Sequence, residues 1–270
     1  MSWPIQEYFS SNGIRYYQCG ETKPAMIFLH GLLGSGKNWQ IFVRWIAQHH
    51  NITAIAPDLR GHGQSKGFQG PATIQTLVDD IGLILGEITN KNVLLLGHSL
   101  GGKVAIQLGN QYPQYIQKLM IVDIPLDPIP PDTLDVLPWL RSLTIPTPDI
   151  ATARKHLQQF TKDERLVEFL LTNLVSTDQG FVWRLDLPGM QGIADDLKIL
   201  KLHSQWAQLK MPIWLIKGRK SEYLSQAQAM EMVAVKSPEQ LKYIEMQNAG
   251  HWCHADEPMQ FRKILGEFVG

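Results

Sequence analysis

The sequence predicts an α/β protein built on one mostly parallel β-sheet with helices on both faces. Short apolar runs alternate along the chain with segments of helical periodicity, which is typical of parallel strands joined by crossover helices. The runs are rich in leucine and β-branched residues along their length, as expected for strands buried on both faces. A chain of 270 residues, 44% hydrophobic and 19% charged, is long enough to bury such a core.

The predicted elements can be placed in order along the chain. The first is an antiparallel hairpin at the sheet edge, because an Asn12-Gly13 turn separates two strand-like runs in EYFSSNGIRYYQCG. Six buried strands follow, each bounded by Gly, Pro or Asp. They are AMIFLH (25–30), ITAIAPD (52–58), NVLLLGH (92–98), KLMIVDI (118–124), PIWLIKG (212–218) and LKYIEM (241–246). Helical spacing between strands predicts helices over Ile74–Ile88 and Lys103–Gln111.

Residues 125–208, called the insertion below, interrupt this alternation. The insertion has no strand-like run of comparable strength, and its proline-rich start, LDPIPPDTLDVLPWL, leads into helical patterns in ATARKHLQQF and ERLVEFLLTNL. We therefore predict a core formed by residues 1–124 and 209–270, with the insertion as a helical cap. Most aromatic side chains of the cap are expected to pack the cap on itself; the candidates are Trp139, Phe160, Phe169, Trp183 and Trp206.

The composition excludes several classes of protein and predicts a cytoplasmic one. Twenty-five basic residues balance twenty-five acidic ones, so nothing points to nucleic acid or an anionic membrane as a partner. Cys19 and Cys253 are too few for a disulfide scaffold. The start MSWPIQEYFSS lacks the features of a secretory signal, and no apolar run reaches the length of a membrane span. We expect a monomer or homodimer that acts on a small molecule.

The strongest chemical signal is VLLLGHSLGGK, residues 93–103, which contains G-x-S-x-G where a strand gives way to a helix. A serine at the tip of such a tight turn has strained backbone geometry, so the residues two before and two after it must be small. Gly97 and Gly101 meet this requirement. Ser99 is therefore the predicted nucleophile, at a helix N-terminus where negative charge is favoured.

Two further stretches fit catalysis by Ser99. HGLLG, residues 30–34, follows the first central strand, and there the main-chain N–H of Leu32 would join that of Leu100 to form an oxyanion hole. NAGHWCHADEP, residues 248–258, supplies His251 in a loop after the last strand. His251 would take the proton of the serine and later return it to the leaving group.

The sequence leaves open which carboxylate orients His251. An acid is expected just after PIWLIKG, but the loop there reads RKSE, residues 219–222. Asp123 ends the apolar run KLMIV on the strand after the nucleophile, and neighbouring strands lie about 4.8 Å apart, within reach of the same histidine loop. We predict Asp123 as the acid and Ser221 as a hydrogen-bonding neighbour of Asp123 or His251. Glu222 is the alternative acid.

Five stretches together resemble the α/β-hydrolase superfamily and, more narrowly, the small bacterial esterases of the YbfF type. They are HGLLGSGKNW, PDLRGHGQS, GHSLGGK, IVDIP and AGHWCHADEP, and they cover the predicted core, whereas the insertion matches only loosely around FVWRLDLP. The resemblance implies an α/β-hydrolase fold and hydrolysis of a carboxylic ester or thioester without cofactor or metal. With the residues above, we expect a serine hydrolase that cleaves esters of small or medium acyl groups through an acyl-enzyme.

Three other functions fit parts of the sequence. GLLGSGKN (31–38) and GHSLGGKV (97–104) each miss a phosphate-binding loop by one residue, because Asn38 and Val104 stand where Ser or Thr is needed, which disfavours a nucleotide hydrolase. The same fold also supports carbon–carbon bond hydrolysis or a lyase step, with Ser99 and His251 in acid–base roles. A non-catalytic ligand-binding protein is the third alternative.

Overall fold

The structure, a computed structural model, describes residues 3–21, 25–88 and 92–270. Its strands are β1 Gln6–Phe9, β2 Arg15–Cys19, β3 Ala25–Leu29, β4 Thr53–Pro57, β5 Val93–His98, β6 Ile116–Val122, β7 Leu174–Thr177, β8 Gly180–Trp183, β9 Ile213–Gly218 and β10 Leu241–Met246. Its helices are α1 Gln40–His50, α2 Ile74–Ile88, α3 Leu100–Gln111, α4 Val136–Ser142, α5 Ile150–Leu157, α6 Glu164–Leu171, α7 Gln191–Leu197, α8 His203–Gln208, α9 Gln226–Ala234, α10 Cys253–Asp256 and α11 Pro258–Val269. The six predicted buried strands are present as β3–β6, β9 and β10, and the two predicted helices as α2 and α3.

The main sheet of the described residues has eight strands in the order β1-β2-β4-β3-β5-β6-β9-β10. Strands β1 and β2 form the predicted antiparallel hairpin at one edge, and β2 pairs antiparallel with β4. All further neighbours in this sheet pair in parallel. The mostly parallel sheet is thus confirmed. Among the helices of these residues, none combines the length and the apolar character needed to cross a membrane.

Alternate residues of a strand point to opposite faces of the sheet. Because apolar residues occupy both sets of positions, helices cover both faces. In β5, Leu95 packs into a core that includes residues of α2 and α3, whereas Leu94 and Leu96 pack with residues of α1 and α11. Burial of each such leucine contributes about 1.5–3 kcal/mol. The continuous apolar runs of the sequence are explained by these two cores.

The carboxyl ends of the central strands meet at one edge of the sheet and position the candidate site. His98, the last residue of β5, lies opposite Val122, the last residue of β6. The residues that follow, Ser99 and Asp123, therefore leave the sheet side by side. Strands β9 and β10 end together next to β6, with Gly218 opposite Met246.

The insertion lies between β6 and β9, and helices α4 to α8 form most of its regular secondary structure. It also contains the antiparallel hairpin β7–β8, to which Thr147 adds a bridge at Phe181. The sequence analysis missed this hairpin, because its strands are only four residues long and partly exposed. Gly180 opens β8 at φ 125°, and a Cβ there would lie 2.6 Å from the carbonyl oxygen of Thr147.

Candidate active site

Ser99 occupies the turn between β5 and α3 in a backbone conformation that L-residues rarely adopt, with φ 53° and ψ −122°. Two glycines permit this turn. A Cβ on Gly97 would lie 2.2 Å from the carbonyl oxygen of Gly101, and a Cβ on Gly101 would lie 2.5 Å from that of Leu29. Ser99 is half-buried and lines a cavity. A strained serine facing a cavity is the arrangement that the G-x-S-x-G pattern predicts.

Asp123 and His251 come together from loops that are far apart in the chain. The Nδ1–H of His251 donates to Asp123 Oδ2 over 2.8 Å, so Nε2 is the ring nitrogen that can accept a proton. Asp123 is completely buried, with φ 52°. Its Oδ1 accepts the N–H of Gly218 over 3.0 Å, and its Oδ2 also accepts the hydroxyl of Ser221. Three donors therefore fix the orientation of this carboxylate.

The alternative acid, Glu222, is placed differently. It is exposed in the loop after β9 and lines the cavity. Among the described residues, no hydrogen bond or ion pair joins Glu222 to His251, whereas Asp123 contacts the imidazole directly. The geometry favours Asp123 as the partner of the histidine.

The loop that carries Leu32 lies beside the start of α3. Leu32, Leu100 and Ser99 line the same cavity. Within the part of the chain that the structure describes, no loop hydrogen bond uses the N–H of Leu32 or Leu100, and the first N–H of a helix has no partner inside the helix. Leu33, at φ 62°, offers its carbonyl to the buried side chain of Asn173, whose Nδ2 donates over 2.9 Å. Asn173 belongs to the insertion, so the insertion helps to hold the candidate oxyanion loop.

His98 makes a contact that the sequence analysis did not predict. Its Nε2–H donates to the main-chain carbonyl of His251 over 2.8 Å, and the two rings lie 4.7 Å apart. Burial lowers the pKa of His98 well below its ordinary value, and the neighbouring His251 and His254 add to this effect. His98 is therefore neutral and ties β5 to the histidine loop. The contact joins positions 153 residues apart, so no local sequence pattern indicates it.

Asp256 connects the histidine loop to the insertion. Its Oδ2 accepts the N–H of Gly250 over 2.7 Å, one residue before His251, and its Oδ1 pairs with Arg165 of α6. The guanidinium of Arg165 also lies over the Trp252 ring, 5.3 Å from its centroid. The loop that carries His251 is thus held by the insertion as well as by the core.

The cavity above Ser99 has a volume of about 760 Å³, within the range of small-molecule sites. Its wall includes apolar side chains of the insertion, among them Ile129, Leu134, Val136, Trp139, Leu166 and Phe169. Of the five aromatic candidates, Trp139 and Phe169 line the cavity, so these two do not pack only within the insertion. Ser99 and His251 supply polar groups to this largely apolar wall.

The two near-matches to a phosphate-binding loop have other roles. The first, residues 31–38, includes Leu32 and the start of a 3₁₀ turn at Gly36–Trp39. The second, residues 97–104, forms the turn at Ser99. The amine of Lys103 is buried and donates to the carbonyls of Pro125 and Asp127 over 3.1 and 2.8 Å, so it does not point toward a phosphate site. Among the described residues, no group of three or more His, Cys, Asp or Glu is arranged to hold a metal ion.

Buried histidines in the site and next to it make the stability of the fold depend on pH. Burial lowers the pKa of His30 to about 4, of His62 to about 3 and of His254 to about 4, because desolvation disfavours the charged imidazole. In the unfolded chain these groups protonate near 6.5. Below that pH the unfolded state binds more protons than the folded state, so acid favours unfolding until the folded pKa values are reached.

We expect the free energy of unfolding to fall between pH 6.5 and pH 4, by up to about 1.4 kcal/mol per pH unit for each of these histidines. Urea titrations at half-unit pH intervals measure this slope. His62→Asn should reduce this slope by the contribution of one proton. His49→Gln, at an exposed side chain, should leave the slope unchanged. A free energy of unfolding that stays constant from pH 6.5 to pH 5 would contradict the prediction.

Comparisons with known proteins agree with this fold. The family model described as alpha/beta hydrolase fold matches residues 24–258. The sn-1-specific diacylglycerol lipase ABHD11 of Mus musculus is 29% identical over 92% of this chain and 81% of its own length, and its Danio rerio counterpart is 30% identical over 93% and 79%. A solved marine microorganism esterase, 21% identical, matches with a TM-score of 0.83 over 98% of this chain and 100% of its own. The narrower resemblance to YbfF-type esterases stays a prediction. The chain belongs to the α/β-hydrolase fold family.

Proposed function

We propose that the protein is a serine hydrolase that cleaves carboxylic esters of small or medium acyl groups, through a triad of Ser99, His251 and Asp123. One observation carries the proposal. The strained serine and the histidine–aspartate pair lie at the same edge of the sheet, and both the serine and the histidine line one largely apolar cavity. The two relatives named as lipases support ester hydrolysis as the reaction class.

In the proposed acylation step, the Oγ of Ser99 attacks the ester carbonyl while Nε2 of His251 takes the hydroxyl proton. Negative charge develops on the carbonyl oxygen, and the N–H groups of Leu32 and Leu100 stabilise it. Each such donor lowers the barrier by about 3 kcal/mol. The imidazolium then protonates the leaving alcohol, which departs and leaves an acyl group on Ser99.

Deacylation uses the same groups. Water attacks the acyl carbonyl while Nε2 of His251 takes a proton from the water. The imidazolium then returns that proton to Ser99 Oγ as the bond between the acyl carbon and Oγ breaks and the carboxylic acid leaves. Asp123 holds the imidazole with Nδ1–H toward the carboxylate throughout. No hydrogen bond between the Ser99 hydroxyl and His251 is among the contacts of the described residues. Such bonds are commonly longer before substrate binds and shorten in the reactive complex.

The insertion would act as the cap that selects the acyl group. Its apolar side chains form much of the cavity wall, which favours a hydrocarbon chain over a sugar or peptide. We therefore infer that residues 125–208 set chain-length preference, while residues 1–124 and 209–270 carry the chemistry. Acylglycerols and acyl thioesters belong in the substrate panel, the former because two relatives are named diacylglycerol lipases.

The test combines turnover with covalent labelling. We expect p-nitrophenyl esters of graded acyl length to be hydrolysed with an optimum at small or medium chains, and a fluorophosphonate to label the protein at Ser99 by peptide mass spectrometry. Labelling without ester or thioester turnover would redirect the search to carbon–carbon bond hydrolysis. Neither labelling nor turnover would leave the ligand-binding alternative.

A further inference from the structure

The aromatic ring of Tyr223 lies flat against the imidazole of His251. The ring centroids are 3.8 Å apart and the planes differ by 14°. Tyr223 is 40% exposed and lines the cavity on the side of the histidine. A contact this close and this parallel covers one face of the imidazole.

The loop that carries Tyr223 is fastened to the histidine loop by its main chain. The N–H of Lys220 donates to the carbonyl of Ala249 over 2.9 Å, and the N–H of Tyr223 donates to the hydroxyl of Ser221 over 3.2 Å. Leu224, the next residue, is fully buried and anchors the chain directly after Tyr223. One short loop thus presents Ser221 to the carboxylate and Tyr223 to the imidazole.

A parallel face contact supplies what the other contacts of His251 do not. Asp123 holds the ring at Nδ1, and His98 holds the main-chain carbonyl, while the ring of His98 lies 4.7 Å from the imidazole and is tilted by 41° to it. A hydrogen bond at one ring nitrogen leaves the ring able to tilt about that bond, and a flat aromatic neighbour restricts the tilt. An aromatic face also attracts a cation, so it favours the imidazolium that forms during the reaction.

We propose that Tyr223 is a positioning residue that keeps the His251 imidazole in its catalytic orientation and stabilises the protonated form of the ring. The inference rests on the proposed function, in which His251 is the general base. Tyr223 touches the histidine and acts through it.

The charged and titratable groups around His251 come from several elements. Asp123 contributes a negative charge from the end of β6, and His98 from β5 and His254 from α10 are both neutral near pH 7, because burial lowers the pKa of each. Glu222 and Arg165 line the cavity farther out. All of these groups remain when Tyr223 is replaced, so a changed titration of His251 reports the loss of the ring.

The decisive variant is Tyr223→Leu, which keeps apolar bulk over the imidazole but removes the aromatic face. We expect kcat to fall about fivefold and the acidic limb of the kcat profile to move to lower pH by roughly 0.5 to 1 unit, while KM changes less. Tyr223→Phe keeps the face and should behave like the wild type. Tyr8→Leu removes a tyrosine of similar exposure that stacks on Tyr16, away from the cavity, and should change neither quantity.

An NMR pH titration of His251, followed by the chemical shift of its Cε1 proton, separates this inference from the proposed function. This measurement needs no turnover. A lower midpoint in Tyr223→Leu, with a wild-type midpoint in Tyr223→Phe, supports the role of the ring even if no ester is hydrolysed. An unchanged midpoint and acidic limb in Tyr223→Leu would overturn it, and a changed KM alone would assign Tyr223 to substrate packing. Equal effects of the Leu and Phe variants would place the role in the hydroxyl and also overturn the inference.

Discussion

Replacing Ser99 by alanine is expected to reduce kcat for ester hydrolysis by about a millionfold, to the level left by binding and the oxyanion hole. Alanine cannot form the acyl-enzyme, so no other side chain of the proposed triad can restore the reaction. Steady-state turnover of the best p-nitrophenyl ester measures the loss, and fluorophosphonate labelling should disappear with it.

The Ser99→Ala protein should remain folded, because the structure gives Ser99 hydrogen bonds through its main chain. Its thermal unfolding midpoint should therefore stay close to that of the wild type. Ser204→Ala, at an exposed serine of α8, is the matched control and should keep full activity. If Ser99→Ala retained more than a small percentage of turnover, the nucleophile would have to be sought elsewhere.

Asp123→Asn is expected to lower kcat by about 10³- to 10⁴-fold while leaving substrate affinity nearly unchanged. The carboxylate accepts from Gly218, Ser221 and His251 in the structure. An asparagine has one acceptor oxygen and would place an NH₂ group against one of these donors. The histidine would then favour the tautomer with its proton on Nε2, which cannot accept the proton of the serine.

The control for this prediction is Glu222→Gln, which should change kcat by less than about twofold, because Glu222 is exposed and makes no contact with the imidazole among the described residues. Comparison of kcat and KM for both variants on one ester decides between the two carboxylates. An active Asp123→Asn protein together with an inactive Glu222→Gln protein would reverse the assignment of the acid.

Local patterns were enough to predict the sheet and the turn at Ser99. The six apolar runs became six strands, and G-x-S-x-G at the end of one of them marked the strained residue. The proximity of Asp123 to His251 also followed from strand order, because parallel strands end at one edge. The strand predictions were confirmed because apolar periodicity is a property of neighbouring residues.

The contacts that the sequence did not reveal join distant parts of the chain. His98 holds the carbonyl of His251, Asn173 holds that of Leu33, and Tyr223 covers the imidazole. Each of these residues has an ordinary local context, since a histidine, an asparagine or a tyrosine in a loop or strand end carries no periodic signal. Their partners are set by tertiary packing, which one sequence alone does not display.

The two contacts between the insertion and the loops of the site have a consequence for protein engineering. Asn173 reaches the loop of Leu32, and Arg165 reaches Asp256 beside the histidine loop. An insertion transplanted from another hydrolase to change acyl preference would remove both contacts at once. Chimeras should therefore lose turnover as well as change selectivity unless the grafted segment carries an amide and a guanidinium at these two places. The insertion and the core therefore have to be exchanged or redesigned together.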